Sequence, residues 1–178
     1  IRNLPMLSTT EKITAGKKIR VAFVLPDFGG GGAEKVTLTL LQCLDRKIFQ
    51  PELIVFAGDG PLSAMVPADI PLRDLGHTRL RHAFIHLFHE LADLKADVLF
   101  SSVHHTNLAL LAMRPFLPGR PRVIVRESNT PSHSLPSLNH TFALRLGYRL
   151  LYPRADRIIC ISQKIRDELA RDFGLSPA

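Results

Sequence analysis

The residues of this chain that could do chemistry gather in a few short stretches. Val21 to Val36 reads as an apolar strand run that breaks into four consecutive glycines, Gly29 to Gly32, and then into a helical pattern carrying Glu34 and Lys35. A turn without Cβ atoms lets backbone approach a ligand. The unpaired N–H groups of the following helical turn then present their partial positive charge to it. Phosphate is the natural guest. The two named phosphate loops do not fit. The dinucleotide spacing needs a third glycine at 34 or 35, where Glu34 and Lys35 stand, and no Gly-Lys-Ser or Gly-Lys-Thr follows. A plain connector is the competing reading, but four glycines carry an entropic cost that a connector does not require.

Two further stretches belong beside that turn. Ser102-Val-His-His-Thr106 follows an apolar run, Val98–Ser101, and places His104 and His105 in the crevice loop, where a hydrogen bond to a ligand hydroxyl or phosphate competes with the reading of plain polar loop residues. Val123 to Arg126 is another strand run, and it ends in Arg126-Glu-Ser-Asn129. Of these, Glu127 is the group for catalysis, because a carboxylate could assist proton removal or oppose positive charge developing in a transition state. Ser162 follows a further apolar run and suits the N-cap of the last helix.

Elements must bring these stretches together. β-rich runs alternate with helical patterns from Lys18 onward: strands at Ile19–Leu25, Leu53–Ala57, Leu72–Leu75, Val98–Ser101, Val123–Arg126 and Arg157–Ile161. Between them lie helical patterns at Ala33–Leu44, Leu80–Lys95, Asn107–Met113, Leu138–Leu151 and Gln163–Phe173, with a short segment near Leu62–Val66. Near-continuous apolar strands alternating with helices imply a mainly parallel, doubly wound, Rossmann-like α/β sheet with helices on both faces. In such a sheet the first and fourth strands lie side by side, and ligands bind where the winding reverses. That crevice would hold the glycine turn, His104, His105, Glu127 and Asn129.

With 178 residues, 46% of them hydrophobic and 22% charged, the expectation is one globular domain over residues 18–178, preceded by a polar, aperiodic leader at 1–17. No apolar run is long enough to span a bilayer and no signal peptide is present, which makes cytoplasmic residence the default. The formal charge of +7 favours anionic partners. Nucleic acid is set aside because the basic residues are scattered, Trp is absent and no nucleic-acid-binding signature appears. Cys43 and Cys160 read as buried free thiols. His82, His86 and His89 recur at helical spacing, but a wheel at 100° per residue puts them opposite an apolar face of Leu80, Phe84, Leu87, Phe88 and Leu91, so no metal site is expected. The basic run His77, Arg79, Arg81 and His82 is read as a solvated loop, with contact to anionic lipid as its alternative. The Leu138–Leu151 helix is apolar on most of its circumference and is expected to be buried on two sides, in part against a further domain.

Taken in register, the Gly31-Gly-Ala-Glu34 turn, the Ala96–Ser101 strand with Asn107 downstream, the Arg126-Glu-Ser-Asn129 strand end and the Arg154–Ser162 run resemble the N-terminal domain of a family-four (group 1) glycosyltransferase. The resemblance implies the two-domain GT-B architecture. The nucleotide-sugar-binding C-terminal domain would be absent from this chain, which alone would not transfer. It implies a retaining enzyme that uses a nucleotide-sugar, UDP-linked by expectation, without metal or other cofactor. Acceptors would be cell-envelope polysaccharides or lipid-linked oligosaccharides, with peripheral membrane contact. It assigns Gly30, Gly31, Gly32 and Glu34 to the donor diphosphate or sugar, with Lys35 near the cleft mouth. Asn107, Arg126, Ser128, Asn129 and Ser162, together with His104 and His105, become acceptor or cleft residues. Many relatives carry a histidine where Glu127-Ser128 stand. A stand-alone nucleotide or phosphosugar binding module is the alternative, and a dinucleotide oxidoreductase is disfavoured by the missing third glycine.

Overall fold

The structure is a computed structural model that describes residues 16–77, 80–131 and 141–175. Its described strands form one parallel sheet in the order β3-β2-β1-β4-β5-β6. These are β1 (Ile19–Leu25), β2 (Phe49–Val55), β3 (Leu72–Asp74), β4 (Val98–Ser101), β5 (Arg122–Glu127) and β6 (Arg157–Cys160). The helices are α1 (Gly32–Cys43), α2 (Leu80–Leu94), α3 (His104–Met113), α4 (Thr141–Leu151) and α5 (Gln163–Phe173). The doubly wound α/β expectation is met. Because β1 to β3 wind one way and β4 to β6 the other, right-handed crossovers place α1 on one face and α3 and α4 on the opposite one.

Alternation along the strands feeds two cores. Val21, Phe23 and Leu25 of β1 pack with Leu38 and Leu41 of α1, while Ala22 and Val24 pack with Leu87 and Leu91 of α2, Leu110 of α3 and Tyr148 of α4. The same alternation in β5 sends Val123, Val125 and Glu127 to one face and Arg122, Ile124 and Arg126 to the other. Two aspartates that precede strands tie the amino edge of the sheet. Asp97 accepts from the Arg20 N–H at 3.0 Å, and Asp156 accepts from the Val123 N–H at 2.8 Å and pairs with Arg114 at 2.9 Å.

Several expectations are corrected. β2 starts at Phe49 rather than Leu53 and runs through Pro51, which pairs with Val21 of β1. β3 begins only opposite Leu53, so the missing N–H of Pro51 costs no ladder bond. Helix α3 begins at His104, not Asn107, so both histidines lie in its first turn instead of in a crevice loop. Cys43 is exposed and Cys160 half-buried, because Cys43 falls at the outer end of α1, away from its buried Thr37, Leu38 and Leu41. In α2 the buried stripe runs through Ala83, Leu87, Leu91 and Leu94, which leaves Phe84 41% exposed. Helix α4 buries one side only. Tyr148 is buried and Leu144 and Leu151 pack on the core, whereas Phe142, Leu146 and Leu150 face outward. Arg79 and the part of the expected helix before Thr141 lie outside the described residues, as does the leader up to residue 15.

Candidate functional site

β1 and β4 are neighbours and their carboxyl ends open into a cleft of about 560 Å³. Gly31, Gly32, Ala33 and Glu34 line one wall, Val103 and His104 another, and Arg126, Glu127, Ser128, Asn129 and Ile161 the third. Gly31 is the N-cap of α1 and Val103 that of α3, and neither helix has a side-chain cap. Two helix N-termini therefore present free first-turn N–H groups and positive dipole ends to one cleft. By contrast, the Ser162 hydroxyl caps α5 by accepting from the Ile165 N–H at 3.3 Å.

The glycine turn is shaped for this. Asp27 holds its start by accepting from the Gly29 N–H at 2.7 Å, and Gly30 has φ +97°, which side-chain-bearing residues rarely adopt. A Cβ at Gly32 would meet nothing within 4 Å, so glycine there leaves space that the protein itself does not fill. The Glu34 carboxylate folds back over Gly31. That group leaves Gly32 open and stands where it can accept hydrogen bonds from hydroxyls of a ligand.

Arg126 stands opposite. Its Nη1 is buried without a hydrogen-bond partner, and burial lowers the pKa of the guanidinium, which nonetheless remains charged. A half-buried guanidinium with one unpartnered nitrogen, beside two helix N-termini, gives the cleft electrostatics that suit an anion.

Glu127 reaches the cleft, but its carboxylate turns to the other face of β5. It accepts from Asn107 Nδ2 at 3.0 Å, from the Tyr152 hydroxyl and from the Tyr148 hydroxyl at 3.4 Å, and burial pushes its pKa up. Asn107, itself fully buried, also donates to the Arg126 carbonyl at 3.2 Å and accepts from the Ser101 hydroxyl. This network fixes the end of β5 and so aims Arg126. Burial lowers the pKa of His104. In His105 it acts with the neighbouring His104 to bring the value down to about 4, so both rings are neutral at pH 7 and both can accept a hydrogen bond.

Of the residues expected from sequence, the cleft thus gathers Gly31, Gly32, Glu34, His104, Arg126, Glu127, Ser128 and Asn129. Gly30, Lys35, His105, Asn107 and Ser162 are outside its lining: Gly30 shapes the turn, Asn107 works in the buried network and Ser162 caps α5. Tyr148 and Tyr152, the partners of Glu127, were not anticipated. Their i, i+4 spacing near the end of an apolar helix was the available signal. His82, His86 and His89 are exposed, and among the described residues no group of three or more His, Cys, Asp or Glu could hold a metal ion. A second hollow, of about 410 Å³, opens at the amino edge between Arg20, Lys95, Asp97 and Arg120. Helices α2 and α3 end near it, so carbonyl ends and not N–H ends lie on that side.

Residues 30–178 match the model of Glycosyltransferase Family 4, and the chain belongs to that family. It is 27% identical over 175 residues to N-acetylgalactosamine-N,N'-diacetylbacillosaminyl-diphospho-undecaprenol 4-alpha-N-acetylgalactosaminyltransferase of Campylobacter jejuni. That alignment covers 89% of this chain and 45% of the relative. The apo lipopolysaccharide outer core galactosyltransferase WaaB superposes with a TM-score of 0.63 at 14% identity, over 89% of this chain and 43% of WaaB. Anabaena HepE in complex with UDP superposes at 0.57 and 14% identity, over 86% of this chain and 41% of HepE. The fold is that of the N-terminal half of a GT-B glycosyltransferase, and the chain spans less than half the length of these relatives.

Proposed function

We propose that this chain is the acceptor-side half of a retaining, nucleotide-sugar-dependent glycosyltransferase that builds a cell-envelope polysaccharide or glycolipid. The observation that carries the reading is the convergence of two uncapped helix N-termini and the unpartnered Arg126 Nη1 on one cleft. In the transfer, an acceptor hydroxyl oxygen forms a bond to the anomeric carbon as the bond to the nucleoside diphosphate breaks; negative charge grows on the departing diphosphate, which takes up the hydroxyl proton. The free N–H groups at Gly32 and Ala33 together with Arg126 stabilise that charge, and they are in place before it develops. Glu34 and His104 accept hydrogen bonds from sugar hydroxyls. Glu127 acts through the network that positions Arg126, and its carboxylate is the group for opposing positive charge on the sugar should the network open.

The relatives support the kind of partner. The Campylobacter enzyme's name specifies a diphospho-undecaprenol acceptor, and HepE was solved with UDP. UDP as the nucleotide, metal-free transfer and residence at the cytoplasmic face of a membrane are part of the same reading. The direct test is calorimetric titration of the chain with inorganic pyrophosphate. Loss of a charge-assisted hydrogen bond in Arg126→Ala is expected to weaken binding about tenfold or more. Equal affinity in the variant and the parent rejects the assignment of the anion to this cleft.

A further inference from the structure

The hollow at the amino edge of the sheet is a second place where the chain gathers charge around open space. β1, β4 and β5 are neighbours that start near one another there, so the residues at their entries meet: Arg20 in β1, Lys95 and Asp97 ahead of β4, and Arg120 and Arg122 at the entry to β5. Four cations and one acid line about 410 Å³. The acid, Asp97, already accepts from the Arg20 N–H at 3.0 Å. A concave wall that carries mostly one sign of charge concentrates the opposite ion.

Two observations turn that excess toward a ligand. Arg20 Nε is buried without a hydrogen-bond partner, although Nη2 of the same guanidinium donates to the Lys95 carbonyl. An N–H in that position is costly until something supplies an acceptor. Lys95 and Arg120, in turn, are the two described residues other than glycine with positive φ, each at 47°. Glycine or asparagine is favoured in that conformation, and Lys95 directly follows α2, where helices commonly end in glycine. Both positions carry a cation instead, and both line the same hollow. Attraction to the carbonyl end of α2 does not explain this, because the last turn of α2 has no basic residue and would take one without strain.

We propose that the amino-edge hollow binds a small free polyanion of the polyphosphate or phosphate-ester class, with Arg20, Lys95 and Arg120 as its cations. An oxyanion entering the hollow gives Arg20 Nε the acceptor it lacks, and the Lys95 ammonium and Arg120 guanidinium meet it from the two strained turns. A flat anionic surface does not reach a recessed nitrogen, which is why the ligand is a free molecule. The seven residues of β1 put this hollow about 20 Å from the cleft at the opposite edge.

The test is an NMR titration of the isotope-labelled chain with inorganic triphosphate at fixed ionic strength, read at the backbone amides. Those of Arg20, Ala96, Gly119 and Arg120 are expected to shift and saturate, and to do so equally in Arg126→Ala, which disables the cleft. Lys95→Gly/Arg120→Gly removes both cations and relieves both strained positions. It is expected to weaken triphosphate at the hollow about tenfold or more while the melting temperature holds or rises. Lys95→Gln/Arg120→Gln keeps the strained backbone and is expected to lose binding equally, which separates charge from conformation. Unshifted amides at millimolar triphosphate overturn the proposal, as does parent-like affinity in both double variants. So does a response that Arg126→Ala abolishes, because the anion then sits in the cleft. Binding to phosphatidylglycerol vesicles with no response to triphosphate also overturns it, because lipid headgroups then supply the anion. Pyrophosphate titrated into the glycine variant reports the cleft alone, so the failure of either site leaves the other standing.

Discussion

At the scale of single residues, the cleft is built from absences as much as from side chains. Gly32 begins α1 with open space where a Cβ would stand. A valine there meets no protein atom at its Cβ but projects branches into the volume that a ligand needs to reach the amide. Gly32→Val is therefore expected to keep the melting temperature within a few degrees, because an exposed first-turn substitution costs little. Pyrophosphate affinity should fall about tenfold or more. A variant that binds as the parent does would show that no ligand approaches the Gly32 amide. Arg126 is the counterpart: it supplies a charge where the glycines supply dipoles, and its carbonyl is held by Asn107 at 3.2 Å. The alternation of β5 separates two neighbouring groups that read as a pair in sequence. Arg126 looks into the cleft and Glu127 into the core.

At the scale of elements, the amino edge of the sheet carries stability and the carboxyl edge carries the cleft. Asp156 shows the first. Its carboxylate accepts from the Val123 N–H at 2.8 Å and pairs with Arg114, with Asp156 8% and Arg114 24% exposed at the side chain. Asp156→Ala would remove the charged partner of a mostly buried guanidinium, which keeps the Pro121 and Arg154 carbonyls, and leave a strand N–H unpaired, so unfolding in urea should show a loss of about 1–3 kcal/mol. Pyrophosphate binding at the opposite edge should change little. A loss below about 0.5 kcal/mol would place this pair among exposed ion pairs of no consequence. These elements were largely legible beforehand. Alternating apolar runs gave the six strands and the winding, and Ser162 was readable as a cap because serine before a helical pattern is a local signal. What escaped was set by tertiary context. The start of β2 is fixed by pairing with β1 across Pro51, the start of α3 reaches back to His104, and the one-sided burial of α4 depends on which neighbours it finds. The site was legible as a list of stretches. The direction of each side chain was not, because a one-residue difference along β5 sends Arg126 and Glu127 to opposite faces.

At the scale of the whole molecule, buried titratable groups give stability an opposed dependence on acidity. His105 is held neutral, with its pKa lowered from 6.5 to about 4 by burial and by His104, against a smaller attraction from Asp27. Its contribution is complete above pH 6.5 and is lost as pH falls from there through 4. Glu127 has the other sign. Its pKa is raised from 4.5, so its contribution is complete below that value and declines as pH rises through the raised pKa. His105→Asn should therefore lose less stability than the parent between pH 6.5 and 4 in urea titrations, and an identical pH profile would mean that the ring is not desolvated as the fold implies.

The buried network at the end of β5 also makes the molecule its own optical probe. The chain has no Trp and two Tyr, and both are in that network, stacked with ring centroids 4.4 Å apart beside one carboxylate. Every photon that the folded protein absorbs or emits beyond the phenylalanine band comes from Tyr148 and Tyr152. Phenols bonded to a carboxylate emit weakly, so the fluorescence of this protein is a gauge of whether Glu127 keeps its partners. The gauge lies one side chain from the cleft and needs no label.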